Sequence, residues 1–166
     1  RRGEIGKPRL FHADFSFQVV ADNHRLAAGH WGGPLQDIGV YCLNAARNIF
    51  GAEPVECVSL DGASSADPRF REVHEAISVI LRFPDGALAT FNCSFGAAEF
   101  DGYRVIGTDG IIEVARGFRF ETMPEITILR PEEGAFEGLA RPEIEVRYGD
   151  VGSGVDPNTL ELSVDH

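Results

Sequence analysis

Apolar and polar residues alternate along three stretches of the chain. Over residues 10–19, Phe11, Ala13, Phe15, Phe17 and Val19 fall on one side, and His12, Asp14, Ser16 and Gln18 on the other. Over 73–83, Val73, Ile77, Val79, Leu81 and Phe83 share a side that Glu75 interrupts, opposite His74, Ala76, Ser78, Ile80 and Arg82. Over 87–95, Ala87, Ala89, Phe91, Cys93 and Phe95 oppose Leu88, Thr90, Asn92 and Ser94. A period of two predicts strands with one buried and one wetter face. Pro84-Asp85-Gly86 lies between the second and third stretch, and Asp-Gly between alternating runs predicts a hairpin. Asp109-Gly110 predicts another, joining 103–108 to 111–115. Segments 55–60, 126–129 and 144–148 carry weaker strand patterns.

One segment changes period. Leu35, Ile38, Cys42, Ala46 and Ile49 recur at helical spacing, with Leu43 and Phe50 beside them. Pro34 suits the first helical position, where a missing N–H costs nothing, and Gly51 suits the cap at the other end. The apolar stripe is expected to pack on the Phe-rich sheet face, leaving Asp37, Tyr41, Asn44 and Asn48 on a polar side. The fold class is therefore α+β: a mostly antiparallel open sheet of six or more strands with a helix packed on one face. The other sheet face is rich in Ser, Thr, Asn and Gln. Residues 131–142 and 151–158 read as loop, the latter part of a flexible tail over 149–166.

Composition narrows the function classes. A net charge of −11 argues against nucleic acid and anionic membranes as partners, since both demand a basic surface. No run of eighteen apolar residues is present, and the first residues contain no signal-peptide core. The three cysteines, Cys42, Cys57 and Cys93, are odd in number and fit no zinc spacing. Each sits in an apolar stretch, so buried thiols and a cytoplasmic protein are expected. No metal site is assigned; His12, Asp14 and His74 on the wetter sheet face need no special role. No Gly-x-Gly-x-x-Gly follows a predicted strand. No phosphate loop, Gly-x-Ser-x-Gly elbow or His-Glu-x-x-His is present either.

The densest chemistry lies in Gly32-Gly33-Pro34-Leu35-Gln36-Asp37-Ile38-Gly39-Val40-Tyr41. A glycine turn feeds a helix carrying an acid and a phenol four residues apart, and such residues stack on one helix face. Asp37 and Tyr41 are thus placed to bond a polyhydroxylated substrate and to move a proton at one of its hydroxyls. From the residues alone, Asp37 also serves as a partner for the helix dipole, and Tyr41 as half-buried packing.

The pattern Gly-Gly-x-Leu-x-Asp-x-Gly-x-Tyr resembles the second domain of the glucose–fructose oxidoreductase / inositol dehydrogenase / MocA oxidoreductases. The resemblance covers roughly residues 3–130, is most specific over 32–54, and leaves the segment from Gly149 on unmatched. It implies that residues 1–166 form a single C-terminal substrate and dimerisation domain of a two-domain enzyme. The Rossmann domain, with the dinucleotide fingerprint and a Glu-Lys-Pro lysine, would precede Gly3-Glu4-Ile5-Gly6-Lys7-Pro8. NAD or NADP is then the cofactor, held mainly by that absent domain. The substrate would be a sugar, polyol or related alcohol, with Asp37 and Tyr41 as catalytic residues. The family's lysine is the cation a phenol needs to act as proton acceptor. The resemblance also puts the loop before the helix near the substrate, making Arg25 and His30 candidate sugar contacts. Trp31 either walls the sugar or anchors the surface; Asn44 and Asn48 either back Tyr41 or face water. Pro34 departs from the family's third glycine and stiffens the turn. The family dimerises through the open sheet face, so a homo-oligomer is expected, and the isolated domain is expected to be inactive. Two other readings stay open: a non-catalytic binding or assembly module on the same fold, and an NAD-using glycosidase.

Overall fold

The computed structural model describes residues 4–64, 66–119 and 124–129, together with the backbone of 143–146. Eight strands form one sheet: β1 (Pro8–Ser16), β2 (Glu56–Gly62), β3 (Ala76–Arg82), β4 (Leu88–Ser94), β5 (Phe100–Gly107), β6 (Ile111–Ala115), β7 (Glu125–Leu129) and β8 (Glu143–Val146). Their spatial order is β2-β3-β4-β1-β5-β6-β7-β8. Every neighbouring pair is antiparallel except β1 with β4, which run parallel. Strand β2 is antiparallel to β3, and β3 to β4, so β2 runs parallel to β1. The chain from β1 to β2 must therefore cross over two intervening strands, and parallel strands need such a crossover. It contains two short 3-10 turns, a π turn (Leu35–Gly39) and the helix α1 (Val40–Phe50).

The alternation predicted these strands, and the structure moves several boundaries. Strand β1 ends at Ser16, although Phe17 and Val19 still donate to Ser94 and Phe95. Strand β3 begins at Ala76 rather than 73, because the chain before it turns through a 3-10 segment, Pro68–Phe70. There Asp67 caps Arg69 N, and the Arg69 guanidinium reaches the Val19 carbonyl at 2.6 Å. Strand β5 starts at Phe100, three residues earlier than expected, since Gly102 interrupts the apolar pattern without breaking the ladder. Both Asp-Gly hairpins are present. The loop expected over 131–142 and the tail over 149–166 lie outside the described residues.

The core lies between the helix and one sheet face. Phe11, Phe91 and Phe95 are at most 2% exposed there, as are Cys42 and Ala46 from the helix underside. Small residues on α1 let its backbone approach the Phe-rich face closely. The Phe50 ring closes the far end at 4.6 Å from that of Phe83. Gly51 adopts φ 64 and its N–H bonds the Arg47 carbonyl, as a C-terminal glycine should.

One expectation fails. Cys42 and Cys93 are buried, but Cys57 is exposed. It sits on β2, an edge strand exposed at every residue, because the helix covers the centre of the sheet and stops short of that edge. A hydrogen bond with the Cys93 thiol, and burial after it, push the Cys42 thiol far above its ordinary range, so it stays a neutral packing group.

Truncating Phe91, 2% exposed on a central strand, should cost about 3–5 kcal/mol in a denaturant melt of Phe91→Ala. Acid should also destabilise the fold. Hydrogen bonds from Arg69, Lys7 and Arg47 hold Asp67, Asp85 and Glu53, respectively, below the ordinary carboxylate range. A lowered folded-state pKa stabilises above the unfolded value and is lost as pH falls through the folded one. The urea midpoint should therefore hold down to about pH 5 and drop below about pH 4. The drop should be smaller in Asp67→Asn.

Candidate functional site

The glycine turn is built by close backbone contact. Gly32 N bonds the Ala27 carbonyl at 3.1 Å, and Gly33 N bonds the Arg25 carbonyl at 2.9 Å. A Cβ on Gly32 would stand 2.4 Å from Arg25 O and 2.7 Å from Ala27 O, so no side chain fits. Gly33 adopts φ 120, a region that favours glycine. Pro34, at φ −66, then starts the helical backbone. The first helical turn is not the α turn that periodicity predicts. Leu35–Gly39 is a π turn, the wider form found often at functional sites. Gly39, at its end, is buried, and a Cβ there would lie 3.6 Å from both Cys93 Sγ and Phe91 Cε2.

Asp37 projects from the π turn and Tyr41 from the start of α1. The Arg25 guanidinium meets Asp37 through one contact, Nε to Oδ2 at 2.7 Å. Both side chains are about a third exposed, at 37% and 29%. A single-pronged contact leaves the second carboxylate oxygen and the guanidinium's terminal amino groups for a ligand, among the described residues. Tyr41 is 41% exposed, and its ring centre lies 6.1 Å from that of Phe15. Phe15 stacks on Phe118 at 5.5 Å. The Arg119 guanidinium lies about equally far, 6.0 and 5.9 Å, from the Phe15 and Phe17 rings, and pairs with Glu99. Beneath it sits Asp101, whose buried Oδ2 has no hydrogen-bond partner among the described residues; Arg119 Nε is 3.9 Å away. A buried carboxylate without a hydrogen bond is costly, so the nearby guanidinium is its main compensation.

The other sequence candidates are spread around this pair. His30 closes the 3-10 turn Ala28–His30 and is exposed. Trp31 has a left-handed backbone, φ 58, is 82% exposed, and lines a depression that includes neither Asp37 nor Tyr41. Asn44 accepts from Arg47 Nη1 at 3.0 Å, and Arg47 in turn holds Glu53. It therefore belongs to a shallow hollow toward the end of α1 with Asn48, Gly51 and Glu53. On the sheet, His12 bonds Thr90 at 2.6 Å while His74 meets Asp61 at 3.1 Å, so the two histidines take different partners. Sequence reasoning missed Phe118, Arg119 and Asp101. The one available signal was an acid at a core-facing position, since Asp101 pairs in register with buried Phe15.

The relatives and structural neighbours of this domain, a sheet with one crossover helix entered by a Gly-Gly turn, are oxidoreductases. The chain belongs to the GFO/IDH/MocA C-terminal domain family, which it matches over residues 1–113. It is 32% identical over 120 residues to trans-1,2-dihydrobenzene-1,2-diol dehydrogenase of Mus musculus, covering 69% of this chain and 33% of that protein. The Bos taurus protein of the same name is 28% identical over 113 residues, covering 68% and 32%. Among solved structures, aldose-aldose oxidoreductase from Caulobacter crescentus, complexed with glycerol, superposes with a TM-score of 0.76 at 29% identity, covering 91% of this chain and 42% of that one. A 3-ketoreductase from Actinomadura kijaniata, complexed with NADP, gives 0.70 at 26%, covering 87% and 42%. The chain thus spans about a third of the length of the curated relatives it matches.

Two glycines of the loop test its construction. Gly32→Ala must push apart the backbone that carries Arg25 and should cost about 1–3 kcal/mol by chemical denaturation. Gly29, with nothing within 4 Å of an added Cβ, is the control: Gly29→Ala should change stability by at most about 0.5 kcal/mol.

Proposed function

We propose that this chain is the substrate-binding and oligomerisation domain of an NAD(P)-dependent oxidoreductase acting on a sugar, polyol or related alcohol. The observation that carries the reading is the Asp37–Arg25 pair beside Tyr41, presented by a glycine-locked loop and a π turn in this family's fold. The relatives support it. Their names specify a dihydrodiol, aldoses and a keto group, all oxygen-bearing carbons.

The Gly-Gly turn is no cradle for a dinucleotide, because both of its N–H groups are spent on Ala27 and Arg25 carbonyls. A nicotinamide cofactor would supply the hydride chemistry and would be held mainly by an N-terminal domain of the full-length protein. This chain contributes orientation and proton handling. Asp37, aimed by Arg25, accepts a hydrogen bond from a substrate hydroxyl. Tyr41 takes or returns the proton of the hydroxyl at the reacting carbon. Arg25 offers its terminal amino groups to a neighbouring oxygen, and His30 closes the loop side. Asn44, turned toward Arg47 and the far end of α1, takes no part in this reading.

Oligomerisation through the open sheet face fits its surface. A hydrogen-bonded row, Ser78–Asn92–Asp14, runs across it beside His12 and Thr90. Ile80, Leu88 and Phe100, 48%, 38% and 55% exposed, lie on the same face. We place the protein in the cytoplasm, in keeping with three free thiols.

In the full-length protein, Tyr41→Phe and Asp37→Asn should each lower kcat by about 10²–10⁴-fold, measured as substrate-dependent NAD(P)H formation. Turnover within a factor of about two of wild type in both would instead support a binding module. The isolated chain should give no turnover. Ile80→Glu should shift a light-scattering mass toward monomer.

A further inference from the structure

We propose that the depression beside Trp31 is a second saccharide subsite, taking a neutral sugar ring or polyol next to the Asp37–Tyr41 site. The proposal rests on the reading of this domain as one that handles polyhydroxylated substrates. The depression has a volume of about 490 Å³, within the usual range for small-molecule sites. It lies under the Gly-Gly-Pro turn, on the side toward β2 and β3. Leu35, Val73 and Ile77 supply apolar surface, and Asp61, Glu72 and His74 supply polar groups.

Three features select the ligand. First, Trp31 stands at the lip, 82% exposed, on a backbone held left-handed. Its N–H bonds Ala28 O, and Glu72 pins the Ala28 N–H at 3.2 Å, so the loop under the ring is fixed from both sides. A large aromatic face left in water beside a concave apolar floor is complementary to the C–H face of a sugar ring. Second, carboxylates only accept hydrogen bonds, so Asp61 and Glu72 call for hydroxyl donors. Asp61 and His74 touch at 3.1 Å yet remain 50% and 62% exposed, which leaves them open to a ligand. Third, two carboxylates in one depression repel a phosphate or carboxylate group. A neutral, polyhydroxylated ligand meets all three features, and a nucleotide-linked sugar would have to keep its phosphates elsewhere.

Trp31 is the single tryptophan of the chain, so its emission reports on this depression alone. The purified chain should be titrated with glucose and with maltose while Trp31 emission and acrylamide quenching are followed. The expected result is a saturable emission change with protection from quenching. Asp61→Asn should weaken the apparent affinity about tenfold, by loss of a charged acceptor. Asp61 lies on a fully exposed strand, and His74→Gln provides a second, independent variant on the other side of the depression. No saturable change with either sugar, or unaltered affinity in both Asp61→Asn and His74→Gln, would overturn the subsite. So would glucose 6-phosphate binding as tightly as glucose. Loss of turnover in full-length Tyr41→Phe without sugar binding at Trp31 would overturn the subsite and keep the proposed activity; the converse would do the reverse.

Discussion

Strand β1 enters the middle of the sheet and pairs in parallel with β4, and the rest of the molecule is arranged around that contact. A chain leaving β1 cannot turn back into a neighbouring strand by a hairpin, because both neighbouring positions are taken by β4 and β5. It has to leave the sheet and travel to the free edge at β2. The crossover passes over β4 and β3, so the helix is laid on the apolar face of the central strands. The helix underside is small there, with Gly39, Cys42 and Ala46, and the facing strands are large, with Phe11 and Phe91. Small against large is what allows dense packing at short range. The polar edge of the helix is thereby turned outward, and Asp37 and Tyr41 with it.

The Arg25–Asp37 pair organises more than it stabilises. Both groups are about a third exposed, and surface pairs of this kind contribute only about 0–1 kcal/mol. Its value lies in aim: one guanidinium contact fixes a carboxylate oxygen in place without covering the other. The loop that makes this possible is held by backbone hydrogen bonds, with glycine where a Cβ would strike a carbonyl. Tyr41 has a different support. It leans on Phe15, which is stacked on Phe118 and roofed by Arg119 over a buried acid. A charged group over aromatic faces keeps part of the cost of burying Asp101 in check.

The two sheet faces illustrate a division of labour. One is closed by the helix. The other carries a hydrogen-bonded polar row among exposed apolar side chains, which supports the proposal that this face takes part in oligomerisation. The edge strand β2 is bare at every residue. Glu56 and Asp61 on that strand supply the charge that discourages edge-to-edge pairing.

Much of this was legible from order alone. Alternation located β1, β3 and β4, the two Asp-Gly pairs located their hairpins, and helical spacing with Pro34 and Gly51 bounded the helix. These features depend on neighbours a few residues apart, so local periodicity and turn chemistry determine them. The Gly-Gly-x-Leu-x-Asp-x-Gly-x-Tyr pattern pointed to the family for the same reason. Four things were decided only in three dimensions. The parallel pairing of β1 with β4 joins residues nearly eighty apart in sequence, and no local signal reports strand order. The π turn ends at Gly39, buried beside Cys93 and Phe91, and periodicity sees neither the wider turn nor those neighbours. Arg25 meets Asp37 only after the loop folds back across the Gly32 backbone. Cys57 reads as buried from its apolar neighbours, yet it is exposed because the helix ends before it reaches the edge of the sheet. Sequence determined the elements, since their forces act between residues close along the chain; the tertiary structure decided what each element faces, since burial and ion pairing depend on which surfaces the crossover brings together.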